Sequence, residues 1–253
     1  MAMADAHKLT GYLDRYLKIK TIDDWPNALN GLQLANGGKV RRIGAAVDAC
    51  EPVIRLAVEN GVDFLVVHHG LFWSGVQPLT GAHYRKIKLA TGNGLAIYSA
   101  HLPLDVHPVV GNNALFCKAL GFKKTAPFFF QKNQFLGLRT EQAIDREALA
   151  RRAENALRSP VKLCPGGPRN ARRIGVVTGG AGSEIFLAAG EGVDTFITGE
   201  GPHWSYTAAE ELGVNVIYGG HYATETFGVK ALAAHLSARF KLPWEFIDHP
   251  TGL

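Results

Sequence analysis

The sequence is poor in the residue types that mark several common protein classes. Its 253 residues include 3 cysteines, Cys50, Cys117 and Cys164, and none belongs to a CxxC pair. The chain therefore indicates neither a disulfide framework nor a cysteine-based zinc site. No apolar run reaches the roughly 20 residues of a membrane span, and the N-terminus lacks the apolar core of a secretory signal. We therefore expect a cytoplasmic protein that does not interact with membranes.

Charge of one sign is not concentrated either. The formal net charge is +5, and the basic residues are scattered apart from arginine pairs at 41–42, 151–152 and 172–173. A nucleic-acid-binding face usually needs clustered basic residues, and the sequence shows no such cluster. The charge distribution is therefore weak evidence for nucleic-acid binding, which stays open. With 47% hydrophobic and 19% charged residues, the composition is that of a globular protein with one large core or two small ones.

What the sequence does contain is an internal repeat. Residues 41–73 and 172–204 align without a gap, and 12 of these 33 positions are identical. A second match follows each copy, because LAIYSAHLPLD in the first half resembles VNVIYGGHYATE in the second. A period this long indicates a duplicated domain and not a solenoid.

Each copy alternates strand-like and helix-like segments. Short apolar runs such as RIGAAVD and DFLVVHH have the length of strands, and the intervening run EPVIRLAVEN carries apolar residues at helical spacing. Alternation of this kind is typical of α/β layers. The sequence therefore predicts an α/β fold of mixed, mostly parallel sheets flanked by helices.

Histidines and carboxylates gather where the predicted strands end. Ligands of open α/β sheets bind outside the carboxyl ends of strands, and a His-x-x-x-carboxylate pair places both side chains on one face of a first helical turn. Four imidazoles and two carboxylates suit two divalent ions that share a carboxylate and activate a bridging water. The predicted metal ligands are His68, His69, His101, Asp105, His221 and Glu225.

The second copy of the repeat lacks the adjacent histidines. Gly199 and Glu200 stand where the first copy has His68 and His69, so the repeat predicts one asymmetric site per chain. Glu200 and His203, in the segment GEGPHW, are candidates for a catalytic acid/base pair or a substrate contact. A hydrogen-bonded strand end is the rival interpretation of these two residues.

A glycine-rich stretch, TGGAGSE at residues 178–184, follows a predicted strand and opens a predicted helix. Backbone N–H groups at such a position can bind a phosphate. The stretch matches neither the P-loop nor the dinucleotide-binding pattern. A plain turn from strand to helix is therefore the preferred interpretation.

The segments HHGLFW, HLPLD, GNNALF, ITGEGPHW and GHYATE, in this order, resemble the YbgI-like dinuclear-metal proteins, also called the NGG-interacting-factor-three-like family. The resemblance covers nearly the whole chain. It implies two intertwined domains, a homohexameric toroid built as a trimer of dimers, and a dinuclear metal site that faces an internal cavity. By motif, Glu225 would bridge the metals, and His101 would be a direct ligand or a neighbour of one.

On this basis we expect residues 1–125 with 214–253 to form a first domain, which carries most of the metal ligands. Residues 126–213 would form the second domain of one interwoven functional unit. Iron, manganese, zinc and nickel all accept the mixed imidazole and carboxylate ligands.

Members of this family carry the name GTP cyclohydrolase 1 type 2 homologue, which implies opening of the imidazole ring of GTP by metal-bound hydroxide. Our first hypothesis is a dinuclear metal-dependent hydrolase that acts on a nucleotide-like substrate, with GTP as the candidate. One alternative is a ring-shaped scaffold, stabilised by metals, that binds a protein or nucleic-acid partner. Another is a metal-dependent phosphatase or phosphodiesterase.

Overall fold

Strands and helices alternate along the chain in the computed structural model, which describes residues 3–253. The strands are β1 (Ala4–Asp5), β2 (Gly31–Leu34), β3 (Lys39–Val40), β4 (Ile43–Asp48), β5 (Phe64–His69), β6 (Ala96–Ser99), β7 (Ala126–Gln131), β8 (Gln134–Asp145), β9 (Lys162–Pro165), β10 (Asn170–Val176), β11 (Thr195–Thr198), β12 (Asn215–Tyr218) and β13 (Trp244–Phe246). The helices are α1 (Ala6–Tyr16), α2 (Glu51–Glu59), α3 (Gly81–Gly92), α4 (Leu102–Asp105), α5 (Asn112–Ala119), α6 (Arg146–Leu157), α7 (Ile185–Gly190), α8 (His203–Leu212) and α9 (His221–Phe240). The predicted α/β class is confirmed.

The described residues form two compact units, each built from two segments of the chain. Unit 1 runs to Leu104 and resumes over Gly228–His249, and unit 2 consists of Asp105–Phe227 and Pro250–Leu253. The predicted domains divide the chain after residues 125 and 213 instead, and that division stays a prediction. Within residues 3–253, no helix combines the length and the apolar character that crossing a bilayer requires.

Unit 1 contains a five-stranded sheet in the order β13-β4-β5-β6-β2. Strands β4 and β5 are buried along all but their last residue, as expected of central parallel strands that are covered on both faces. Helix α2 packs Val53, Ile54 and Ala57 into the core of this unit. The polar residues that end β4 and β5 therefore emerge at one edge of a well-packed sheet.

Unit 2 contains a six-stranded sheet in the order β7-β8-β10-β11-β12-β9. Strands β10, β11 and β12 are parallel, and the strands on either side of them are antiparallel. Helix α6 begins after Asp145, whose carboxylate accepts hydrogen bonds from the backbone N–H groups of Glu147 and Ala148. An acidic N-cap of this kind satisfies donors that the first turn leaves unpaired.

The two sheets contain the same arrangement of four strands. In unit 1, β4, β5 and β6 are parallel neighbours, and β2 pairs antiparallel with β6. In unit 2, β10, β11 and β12 are parallel neighbours, and β9 pairs antiparallel with β12. Because β4 and β5 lie in one copy of the sequence repeat and β10 and β11 in the other, this shared topology supports the predicted internal duplication.

A cluster of aromatic rings constrains the packing of unit 2. Phe128 and Phe129 are buried against Phe196, with ring centroids between 5.8 and 6.2 Å apart. The Phe128 ring lies directly over Gly175 of β10, where a Cβ atom would overlap the ring. The absence of a side chain at Gly175 is therefore a condition for this packing.

Replacing Gly175 by alanine should lower the free energy of unfolding by about 1–3 kcal/mol, because the buried Phe128 ring must move aside. Urea unfolding of the variant beside the wild type measures the effect. Gly190→Ala is the matched control, since a Cβ at the end of α7 meets no atom within 4 Å. A wild-type midpoint for Gly175→Ala would contradict the packing argument.

Candidate metal centre

Three of the predicted ligands lie together in unit 1. His68 and His69 are the last two residues of β5, and His101 follows the adjacent strand β6. The ring centroid of His68 lies 4.8 Å from that of His69 and 4.9 Å from that of His101. One ring nitrogen of each histidine lies within 4.8 Å of the other two, so this group could hold a metal ion.

Hydrogen bonds at Nδ1 orient the two adjacent histidines. The Nδ1 atom of His68 lies 2.9 Å from the carbonyl oxygen of Ala100, and that of His69 lies 2.9 Å from Oδ1 of Asp48. Because a carbonyl or carboxylate oxygen accepts, Nδ1 carries the proton in both rings. Each ring therefore presents the lone pair of Nε2, the arrangement in which histidine binds metals with a second partner at Nδ1.

His101 is oriented in the same way by a buried carboxylate. Its Nδ1 atom lies 2.8 Å from Oδ1 of Asp24, whose side chain is only 7% exposed. Asp24 also accepts hydrogen bonds from the amide of Asn30 and from the backbone N–H groups of Trp25 and Leu102. Burial acts to raise the pKa of Asp24, but the hydrogen bond and charge of His101, together with the other donors, hold that pKa below its ordinary value.

Two further predicted ligands lie on the first turn of α9 in unit 2. Nε2 of His221 is 3.2 Å from Oε1 of Glu225, as expected of residues four apart on a helix. Gly179 has a φ of +74°, and a Cβ there would overlap the buried carboxylate of Glu225. Glycine at this position therefore lets the backbone approach the carboxylate.

A second carboxylate orients His221 from the other side of its ring. Oε1 of Glu200 lies 2.9 Å from Nδ1 of His221. Burial acts to lower the pKa of His221, but the hydrogen bonds and charges of Glu225 and Glu200 raise it to about 9. His221 is thus the fourth predicted imidazole ligand with an oxygen acceptor at Nδ1.

Asp105, the sixth predicted ligand, ends α4 and is buried. Its Oδ1 atom accepts a hydrogen bond of 2.7 Å from the amide of Asn112 and lies 3.4 Å from the hydroxyl oxygen of Thr178. The amide of Asn113 donates to the backbone carbonyl of Asp105. The two asparagines belong to the segment GNNALF; Asn112 orients the carboxylate of Asp105, and Asn113 holds its backbone.

The structure places the two candidate catalytic residues in different surroundings. Glu200 contacts an imidazole, whereas His203 begins α8 with an exposed side chain. The acid/base pair therefore stays a prediction, and the observed contact of Glu200 is that of a residue that orients His221.

Two carboxylates that contact the predicted ligands, Asp48 and Asp24, were not predicted from the sequence. Asp48 ends β4 and pairs with His69 across the sheet, so the strand-end rule that selected the histidines could have found it. Asp24 lies in a loop outside the repeat, so neither the repeat nor a family motif identifies it as part of the site. In each unit the imidazole and carboxylate groups are of the types that bind divalent metal ions, and further hydrogen bonds hold them in place.

Comparisons with known proteins agree with this fold. The model of the Duf34/NIF3 (NGG1p interacting factor 3) family matches residues 4–251. A Deinococcus radiodurans protein named GTP cyclohydrolase 1 type 2 homolog is 41% identical over 250 residues, which are 97% of this chain and 94% of that protein. A Pyrococcus abyssi protein of the same name is 38% identical over 98% of this chain and 100% of its own length.

Solved structures show the same architecture. The protein TTHA1606 from Thermus thermophilus is 43% identical, with a TM-score of 0.89 over 98% of this chain and 100% of its own. The protein ybgI, described as of unknown function, is 33% identical, with a TM-score of 0.91 over the same shares. With a family match over almost all of its length and close relatives of the same fold, this chain belongs to the Duf34/NIF3 family.

Proposed function

We propose that this protein is a metal-dependent hydrolase with a dinuclear centre, and that it acts on a nucleotide-like substrate. The observation that carries the proposal is the common orientation of the four imidazoles. Each has Nδ1 at hydrogen-bond distance from a protein oxygen, so that Nε2 is the ligand atom. The name of the relatives, GTP cyclohydrolase 1 type 2 homolog, makes GTP the first candidate.

In this proposal the six predicted ligands hold two divalent metal ions in one centre. Such ions, when bound, supply Lewis acidity and lower the pKa of water for attack on the substrate. The mixed donors suit iron, manganese, zinc or nickel. The ligands are His68, His69, His101, Asp105, His221 and Glu225.

The surrounding residues orient the ligands. Asp48, Asp24 and Glu200 accept hydrogen bonds from Nδ1 of three histidines, which leaves Nε2 as the ligand atom and makes that nitrogen a stronger electron-pair donor to a metal. Asn112 and Thr178 hold the carboxylate of Asp105 in a similar way. These contacts preorganise the ligands, so little reorganisation is needed when a metal binds.

We further propose, from the family resemblance, that the chain assembles into a homohexameric toroid as a trimer of dimers. The scaffold and the phosphatase hypotheses share the same ligands, so only solution measurements separate them. Metal content, reaction products and the state of assembly distinguish the hydrolase, scaffold and phosphatase hypotheses.

The wild type, purified without a polyhistidine tag, should contain about two metal ions per chain. Incubated with GTP after loading with iron, manganese or zinc, it should release formate, because one water opens the imidazole ring to a formamide and a second water hydrolyses that formamide. Mass spectrometry for metals and separate assays of formate and phosphate give the answer. Release of phosphate without formate would indicate a phosphatase, which attacks phosphorus. Less than one metal ion per chain under every loading would disprove the dinuclear centre.

Replacing Glu200 by glutamine should weaken metal binding about 10- to 100-fold, because glutamine accepts the bond from His221 but removes the charge. Competition with a chelator measures the affinity. Glu211→Gln, an exposed change of equal charge on α8, is the control and should bind metal as the wild type does. Lost turnover with unchanged metal affinity would instead give Glu200 the predicted acid/base role.

Replacing His69 by alanine should abolish turnover and leave the hexamer intact, because the change removes a ligand and not a packing residue. Light scattering after size-exclusion chromatography measures the assembly. His7→Ala, an exposed change on α1, is the control and should match the wild type in both measurements. Dissociation of the His69→Ala ring, with no activity detected in the wild type, would favour the scaffold hypothesis.

A further inference from the structure

An indole ring lies against the histidine cluster of unit 1. The ring centroid of Trp73 is 4.6 Å from that of His101 in a T-shaped contact and 5.2 Å from that of His69. Trp73 nevertheless remains 39% exposed. A large aromatic ring thus covers two predicted metal ligands on one side and faces solvent on another.

The turn that carries Trp73 is held firmly. The side-chain carbonyl of Gln33 accepts a hydrogen bond of 2.6 Å from the N–H of Leu71, and its NH₂ group donates to the carbonyl oxygens of Ala28 and Leu29. Gly70 lies so close to Gln33 that a Cβ at this position would overlap the side chain. These contacts join the turn that carries Trp73 to the loop of Ala28 and Leu29.

The same loop contains a second exposed tryptophan, whose backbone is hydrogen-bonded to the carboxylate that orients His101. Trp25 is 47% exposed, and its backbone N–H donates to Asp24, the carboxylate that binds His101. Exposed tryptophan is costly, because the apolar ring remains in water. Aromatic surface next to a metal-binding cluster therefore indicates a ligand that covers it.

The equivalent tryptophan of the second repeat has a different neighbour. Trp204 occupies the position that matches Trp73 and is 46% exposed. Its ring stacks on Phe186, with centroids 6.3 Å apart and an interplanar angle of 22°. Two indoles of similar exposure therefore differ in surroundings: Trp73 contacts imidazoles, whereas Trp204 contacts Phe186.

We propose that Trp73 is the surface on which the planar base of a nucleoside or nucleotide substrate stacks. Every nucleobase has a π-face that stacks on an aromatic side chain. Such a stack would bind the base at the residue that contacts His69 and His101. The inference rests on the proposed function, which it deepens by assigning the recognition of the base to one residue.

Binding of guanosine to the metal-loaded protein, measured by calorimetry, tests the proposal without turnover. Trp73→Leu should weaken binding about tenfold, the effect of losing one base–aromatic stack, while Trp73→Phe should retain most of the affinity. Trp204→Leu, the repeat-equivalent control, should bind as the wild type does. All variants should contain as much metal as the wild type, which separates loss of stacking from loss of the site.

A second measurement leaves Trp73 unchanged. With Trp25, Trp204 and Trp244 replaced by phenylalanine, Trp73 is the single tryptophan of the chain, and guanosine should quench its fluorescence. Unaltered emission, wild-type affinity in Trp73→Leu, or no binding of guanosine by the wild type would overturn the proposal. Binding that depends on Trp73, without formate release, would support stacking and contradict the cyclohydrolase function. Formate release with wild-type affinity in Trp73→Leu would support the cyclohydrolase function and contradict stacking.

Discussion

The pairing of β5 with its two parallel neighbours determines the geometry of the histidine cluster in unit 1. On one side Asp48 is the register partner of His69, and on the other the backbone N–H of Ala100 donates to the carbonyl of Val67. The ladder thus carries the oxygen acceptors of both adjacent histidines to the rings that they orient. Because main-chain hydrogen bonds fix this register, a shift by one residue would separate each ring from its acceptor.

Burying this many polar groups has a thermodynamic cost that folding alone does not explain. Asp105 and Glu225 are buried carboxylates, and each such group must be compensated by hydrogen bonds or charge. The amide of Asn112 and the imidazole of His221 provide part of that compensation. Clusters in which polar groups are buried at this density are typical of functional sites, where a bound cation completes the charge balance.

The fold class and the identities of the clustered histidines followed from sequence, because both depend on local patterns. Strand-length apolar runs marked β4 and β5, and the rule that ligands gather at the carboxyl ends of strands selected His68 and His69. Asp24 could not be found in this way, because a loop outside the repeat brings it to His101. Gly179 belongs to a stretch that suggested a turn or a phosphate site, whereas its packing against Glu225 depends on tertiary contacts alone.

In the two repeats, different residues supply the carboxylate that orients an imidazole. His101 and His221 occupy equivalent positions, and each has a carboxylate at Nδ1, Asp24 in the first case and Glu200 in the second. Glu200 stands where the first copy has His69, so a position that supplies an imidazole in one half supplies the orienting carboxylate in the other. The two repeats therefore draw each group from a different position, while both have an oriented imidazole after the third strand. The strand end in each repeated sheet can carry either an imidazole or the carboxylate that orients one. Strand pairing, and not the side chains, sets the backbone positions at that edge.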